Sequence, residues 1–122
     1  ETGRTYLDGK MQIGAMDGVV RDRIRMALNG EIVVTVIIDE QGDPLGDPWC
    51  EINGLAEIGR SRAPLVDVLE EDLSQLLRRT DDKVMADDEK LEQALKRQAR
   101  HSALDEIGKK PEVTVVISRL SA

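Results

Sequence analysis

The sequence predicts an α+β domain: a small three-stranded mixed β-sheet, ordered strand, strand, helix, helix, strand (ββααβ), with both helices packed on one face. Three observations predict it. Ile32–Ile38 is an apolar run broken only by Thr35, the signature of a central strand. Leu65–Arg79 and Asp87–Ile107 carry apolar residues at helical spacing. Val113–Ile117 is a second apolar run beyond those helices.

The elements follow in order. Residues 1–17 are punctuated by Gly and Asp and read as an irregular, partly extended lead-in, so the domain proper spans 18–122. Val19–Leu28 is a short helix candidate, with Val20, Ile24 and Leu28 at i, i+4 spacing, Asp17 to cap it and Asn29-Gly30 to stop it. The apolar strand Ile32–Ile38 comes next. Asp39-Glu40-Gln41-Gly42-Asp43-Pro44 is dense in turn formers and implies a hairpin returning through about Trp49–Leu55. Gly59–Pro64 reads as a loop. Leu65, Leu69, Leu73 and Leu76 then line one stripe of the first long helix, with Glu70, Glu71 and Asp72 on its solvated side and Arg78-Arg79 at its end. Thr80–Asp88 is a polar connection. In the second helix Leu91, Leu95, Ala99, Ala103 and Ile107 recur every fourth residue, and Gly108 ends it. Val113–Ile117 closes the sheet parallel to the first strand, because the helix pair supplies the crossover.

Alternation along the strands sorts their residues by face. Ile32, Val34, Val36 and Ile38 share one side of the first strand; Val33, Thr35 and Ile37 share the other. In the last strand Thr114, Val116 and Ser118 oppose Val113, Val115 and Ile117. The sides bearing Thr35, Thr114 and Ser118 are the less apolar and are assigned to the open face of the sheet. Val33, Thr35, Ile37, Thr114, Val116 and Ser118 thus form a mildly apolar candidate interface.

Composition narrows the function classes. With one Trp, one Tyr and no Phe, the core is built from aliphatic side chains. A single cysteine, Cys50, forms no internal disulfide, which suits a reducing compartment, and no secretory or membrane-spanning pattern occurs. The expectation is a soluble, cytoplasmic protein. The formal charge of −7, from 24 acidic and 17 basic side chains, opposes binding that rests on phosphate contacts. Basic residues nevertheless cluster at Arg21, Arg23 and Arg25, at Arg60 and Arg62, and at Arg97 and Arg100. They read as solvated surface paired with carboxylates, or alternatively as an RNA contact.

The catalytic inventory is thin. One histidine, His101, rules out a multi-histidine metal site in this chain and reads as a helix-surface residue. Cys50, beside Trp49 in a strand, reads as a small buried hydrophobe. Asp43, Asp47 and Glu51 match no calcium-loop spacing, and Gly54–Gly59 has no phosphate-loop lysine. No catalytic, cofactor or metal residue is assigned.

Several blocks in order resemble the C-terminal domain of bacterial ribonuclease J. They are Gly18-Val19-Val20-Arg21-Asp22-Arg23, Leu28-Asn29-Gly30, Ile32–Ile38 closing on Asp39-Glu40, Leu45-Gly46-Asp47-Pro48, and Gly108-Lys109-Lys110-Pro111 before the closing strand. Asn53-Gly54 stands where the family often has Arg-Gly; with Trp49-Cys50 and Ser61-Arg62-Ala63-Pro64 it looks like the alphaproteobacterial branch. The resemblance implies a piece of a metal-dependent ribonuclease acting on single-stranded RNA, 5′ exonucleolytic and endonucleolytic. In that family, divalent zinc or manganese is held in a metallo-β-lactamase domain interrupted by a β-CASP domain, by a His-x-His-x-Asp-His motif. That motif is absent from this chain, so no catalytic residue carries over. What is implied here is an accessory domain with residues 1–17 as the end of a linker. Such a domain supports homo-oligomer assembly and full nuclease activity alongside the catalytic domains, with RNA met only through the complete enzyme. The alternative is an RNA-contacting module through Arg21, Arg23 and Arg25, or a docking module for another protein of an RNA degradation complex.

Overall fold

The computed structural model describes residues 30–121. The expected helix Val19–Leu28 and the lead-in 1–17 lie outside the described residues. Three strands, β1 (Glu31–Ile38), β2 (Trp49–Asn53) and β3 (Glu112–Arg119), form one sheet in the order β2-β1-β3. Between β2 and β3 the chain makes α1 (Leu65–Arg79), a single turn α2 (Asp82–Met85) and α3 (Asp88–Ile107). β1 is therefore central, antiparallel to β2 and parallel to β3. The sheet is mixed and both long helices cover the same face, which is the predicted architecture.

Local chemistry explains each boundary. Asp39 organises the hairpin turn: its carboxylate accepts the backbone N–H groups of Gln41 and Asp43, each at 2.9 Å. Gly42 sits there at φ 87, where a side chain would be strained. The connection Thr80–Asp88 is more ordered than its polarity suggests, because Asp81 caps α2 by accepting Val84 N–H and Asp87 caps α3 by accepting Lys90 N–H. Gly108, at φ 69, ends α3 with its N–H on the Leu104 carbonyl.

The core lies between the sheet and the helices. Ile32, Val34, Val36 and Ile38 of β1 are sealed by Leu65, Leu69, Leu73 and Leu77 of α1 and by Leu91, Leu95, Ala99 and Ala103 of α3. The apolar stripe of α1 runs through Leu77 where Leu76 was expected; Leu76 is only partly buried. The i+4 row of α1 is the one that enters the core cluster shared with β1 and α3. Ala99, Ser102 and Ala103 keep α3 thin on its inner side, and α1 packs directly against it.

Two carboxylates of α1 expected in solvent instead hold the layers together. Glu70 accepts the Cys50 backbone N–H at 2.9 Å, occupying a main-chain group of edge strand β2. Asp72 accepts the Ser102 hydroxyl at 2.6 Å and so joins α1 to α3. Beyond them, Glu106 of α3 accepts both the N–H and the hydroxyl of Ser61, and its carbonyl accepts Arg60 N–H, which fastens the loop before α1 to the end of α3.

Leu95, fully buried at the centre of α3, sets the scale of this packing. Leu95→Ala is expected to cost about 2–5 kcal/mol in urea unfolding, because the helices close a cavity there only partly. Val116→Ala, on the uncovered side of β3, is expected to stay within about 0.5 kcal/mol. A Val116 loss as large as that of Leu95 would show that the sheet's other face is packed in the isolated chain.

Candidate association face

β1 and β3 pair in register as Val33 with Thr114, Thr35 with Val116, and Ile37 with Ser118. The six residues singled out by strand alternation are therefore three cross-strand pairs on one side of the sheet. None is buried: Val33 and Thr35 are partly covered, and the other four are exposed. Val116 keeps 46% of its surface in solvent and Ile37 39%.

β2 adds what the sequence reading missed. Trp49 pairs with Thr35 and Glu51 with Val33, so both project from the same open side. Trp49 is 64% exposed and, with Thr35 and Val116, makes a row across all three strands. Parity was the signal that could have found it. Cys50 is buried, so the residue before it faces outward. The last row of this face is polar, Asn53 beside Glu31 beside Glu112. Its apolar centre is thus Trp49, Val33, Ile37 and Val116, interrupted by Thr35.

The other sequence candidates are placed elsewhere. Arg21, Arg23 and Arg25 lie outside the described residues. Arg60 is engaged, its guanidinium donating to the Asp105 carboxylate at 2.8 Å and to the Asp105 carbonyl at 3.2 Å. Asp43 and Asp47 line a concavity of about 470 Å³ beneath the hairpin, where Asp47 accepts the Ser74 hydroxyl and Ser74 accepts from Arg78. Glu51 is on the open sheet face and takes no part in that concavity. Among the described residues no group of three or more His, Cys, Asp or Glu side chains is placed to hold a metal ion. Nor is any described helix long and apolar enough to cross a membrane.

The profile of the family described as "Ribonuclease J C-terminal domain" matches residues 18–120. The chain is 29% identical over 119 residues to a protein named Ribonuclease J from Sinorhizobium meliloti (strain Sm2011 / Rm2011 / 2011). That alignment covers 97% of the chain and 21% of the relative, so the chain spans about a fifth of the length of the protein it matches.

Cys50 behaves as a core atom. It is 2% exposed, and burial, reinforced by the nearby Glu70 carboxylate, pushes its thiol up to about 12. The native state therefore keeps a proton that the unfolded chain, with a thiol near 9.0, gives up. This contribution is whole below about pH 9 and is lost as pH rises toward 12. At pH 8 a thiol-specific reagent is expected to label the native chain at least about 100-fold more slowly than the urea-unfolded chain. Equal rates would place Cys50 in solvent.

Proposed function

The chain belongs to the ribonuclease J C-terminal domain family, and from that membership we propose that it is a non-catalytic accessory domain that joins copies of a ribonuclease through its open sheet face. The observation that carries this reading is the exposed apolar centre formed by Trp49, Ile37 and Val116 on an otherwise highly charged protein. Removing such surface from water contributes about 25 cal/mol per Å² before the costs of association. Trp49 is the natural anchor, since a large, rigid indole fills a partner's pocket at little entropic cost.

The partner of this face is a second copy. A two-fold arrangement places the same patch on both sides and makes the contact self-complementary. Turning one copy so that its strands run against the other's sets the acidic row at Glu31 away from its symmetry mate and spares a like-charge contact. RNA cleavage belongs to metal-holding domains elsewhere in the complete cytoplasmic enzyme, and assembly through this domain sustains their full activity. Docking of another degradation-complex protein is the second reading for this same surface. The second copy is preferred because the described strands present one continuous face that a two-fold axis makes self-complementary.

Sedimentation velocity tests the assignment. The 122-residue chain is expected to self-associate as its concentration is raised, and Ile37→Arg to sediment as a folded monomer. Trp49→Ala is expected to weaken association at least about tenfold, a loss of about 1.4 kcal/mol or more. A wild-type chain that stays monomeric at high concentration, or an Ile37→Arg chain that associates as wild type does, overturns it.

A further inference from the structure

We infer that the outer face of α3 carries a binding site for the phosphodiester backbone of single-stranded RNA, in a basic concavity built from Lys96, Arg97, Arg100 and Lys110. The concavity measures about 350 Å³ and is lined by those four cations with His101, Gln93 and Leu104. Among the described residues no carboxylate lines it, on a chain whose formal charge is −7. Local excess of one sign inside a depression concentrates the field that the net charge would otherwise cancel.

Helix geometry assembles the site. Lys96 and Arg100, and likewise Arg97 and His101, are four residues apart and lie on adjoining stripes of α3. Lys110 arrives from the turn after Gly108, so a segment on the far side of the helix end contributes the fourth cation. The cations are only partly spoken for. Arg100 is oriented by donating Nε to the Pro111 carbonyl at 3.2 Å, a bond that leaves both terminal nitrogens of its fork to donate. Lys96 pairs with Glu92 at 2.9 Å, outside the concavity. Arg97 and Lys110 make no ion pair with the described residues. Leu104, 43% exposed, adds an apolar side chain to the lining, and the guanidinium planes of Arg97 and Arg100 are groups on which an unpaired base can stack.

The charge chemistry selects a polyanion, and family membership makes RNA the polyanion at hand. The inference rests on that membership and not on assembly through the sheet, which lies on the other side of the helix layer. It also differs from a contact through Arg60, whose guanidinium is already held by Asp105.

Fluorescence anisotropy with an end-labelled oligouridylate of a dozen nucleotides, at salt from 50 to 200 mM, tests the site on the 122-residue chain. If all four cations contact phosphates, the logarithm of the association constant falls against that of salt with a slope of about −2 to −3. Arg97→Glu with Lys110→Glu is expected to reduce affinity at least about tenfold and to flatten that slope. The same exchange to Gln is expected to give a smaller loss in the same direction, so a misfolded reversal variant leaves the question answerable. Lys83→Glu with Lys90→Glu, both exposed and outside the concavity, changes net charge equally and is expected to retain most of the affinity. Sedimentation of the Arg97/Lys110 variants is expected to match wild type, whereas Ile37→Arg breaks association and leaves RNA affinity per chain intact. No binding at 50 mM salt, binding indifferent to Arg97 and Lys110, or an equal loss in the Lys83/Lys90 control overturns the site while leaving the assembly reading untouched.

Discussion

Burial of Ile32, Val34, Val36 and Ile38 beneath α1 and α3 is the contact on which the rest of the molecule is built. These side chains stand on the central strand, so whatever covers them also fixes the positions of both neighbours. Parallel pairing of β1 with β3 requires a long crossover, and the helix pair supplies it while providing the cover. One layer of aliphatic residues therefore decides strand order, strand direction and the side on which the helices lie. Among the described residues the opposite face of the same three strands is left over, because the two long helices both lie on one side.

Polar groups hold this arrangement in register where apolar packing is indifferent to small slips. Glu70 binds the main chain of β2, Asp72 binds Ser102 across the helix pair, and Glu106 ties the loop at Ser61 to the end of α3. At the far end Arg119 of β3 donates to Asp88 and to the Met85 carbonyl, fastening the last strand to the start of α3. Each of these contacts joins residues distant in sequence. Each also converts a charge that composition alone assigns to solvent into a spacer between layers. The two surfaces with proposed roles thus belong to opposite sides of one rigid unit: a sheet face suited to a second copy, and a helix face suited to a polyanion.

Much of the fold was legible in the residues. Helical spacing in Leu65–Arg79 reproduced α1 to the residue, and Asp87 and Gly108 bounded α3 because caps act locally. Alternation placed Val33, Thr35, Ile37, Thr114, Val116 and Ser118 on one side, since a strand leaves no other choice. Trp49 escaped because β2 is short and carries no clear alternation, so its facing depends on pairing with Thr35. Glu70 and Asp72 escaped because a helix flanked by a sheet and another helix has less solvated surface than its own pattern suggests.

By itself, then, the sequence determined the three strands, the two long helices and their ends, the mixed sheet and the family, which follow from local periodicity, capping and an ordered set of short blocks. The tertiary structure decided which residues from different elements meet. The row Trp49–Thr35–Val116 exists only once three strands are in register. The concavity of Lys96, Arg97, Arg100 and Lys110 exists only once the turn after Gly108 folds back beside α3. Chain periodicity carries information about neighbours within an element. Surfaces made from several elements depend on packing, which is set by the fit of side chains across the core.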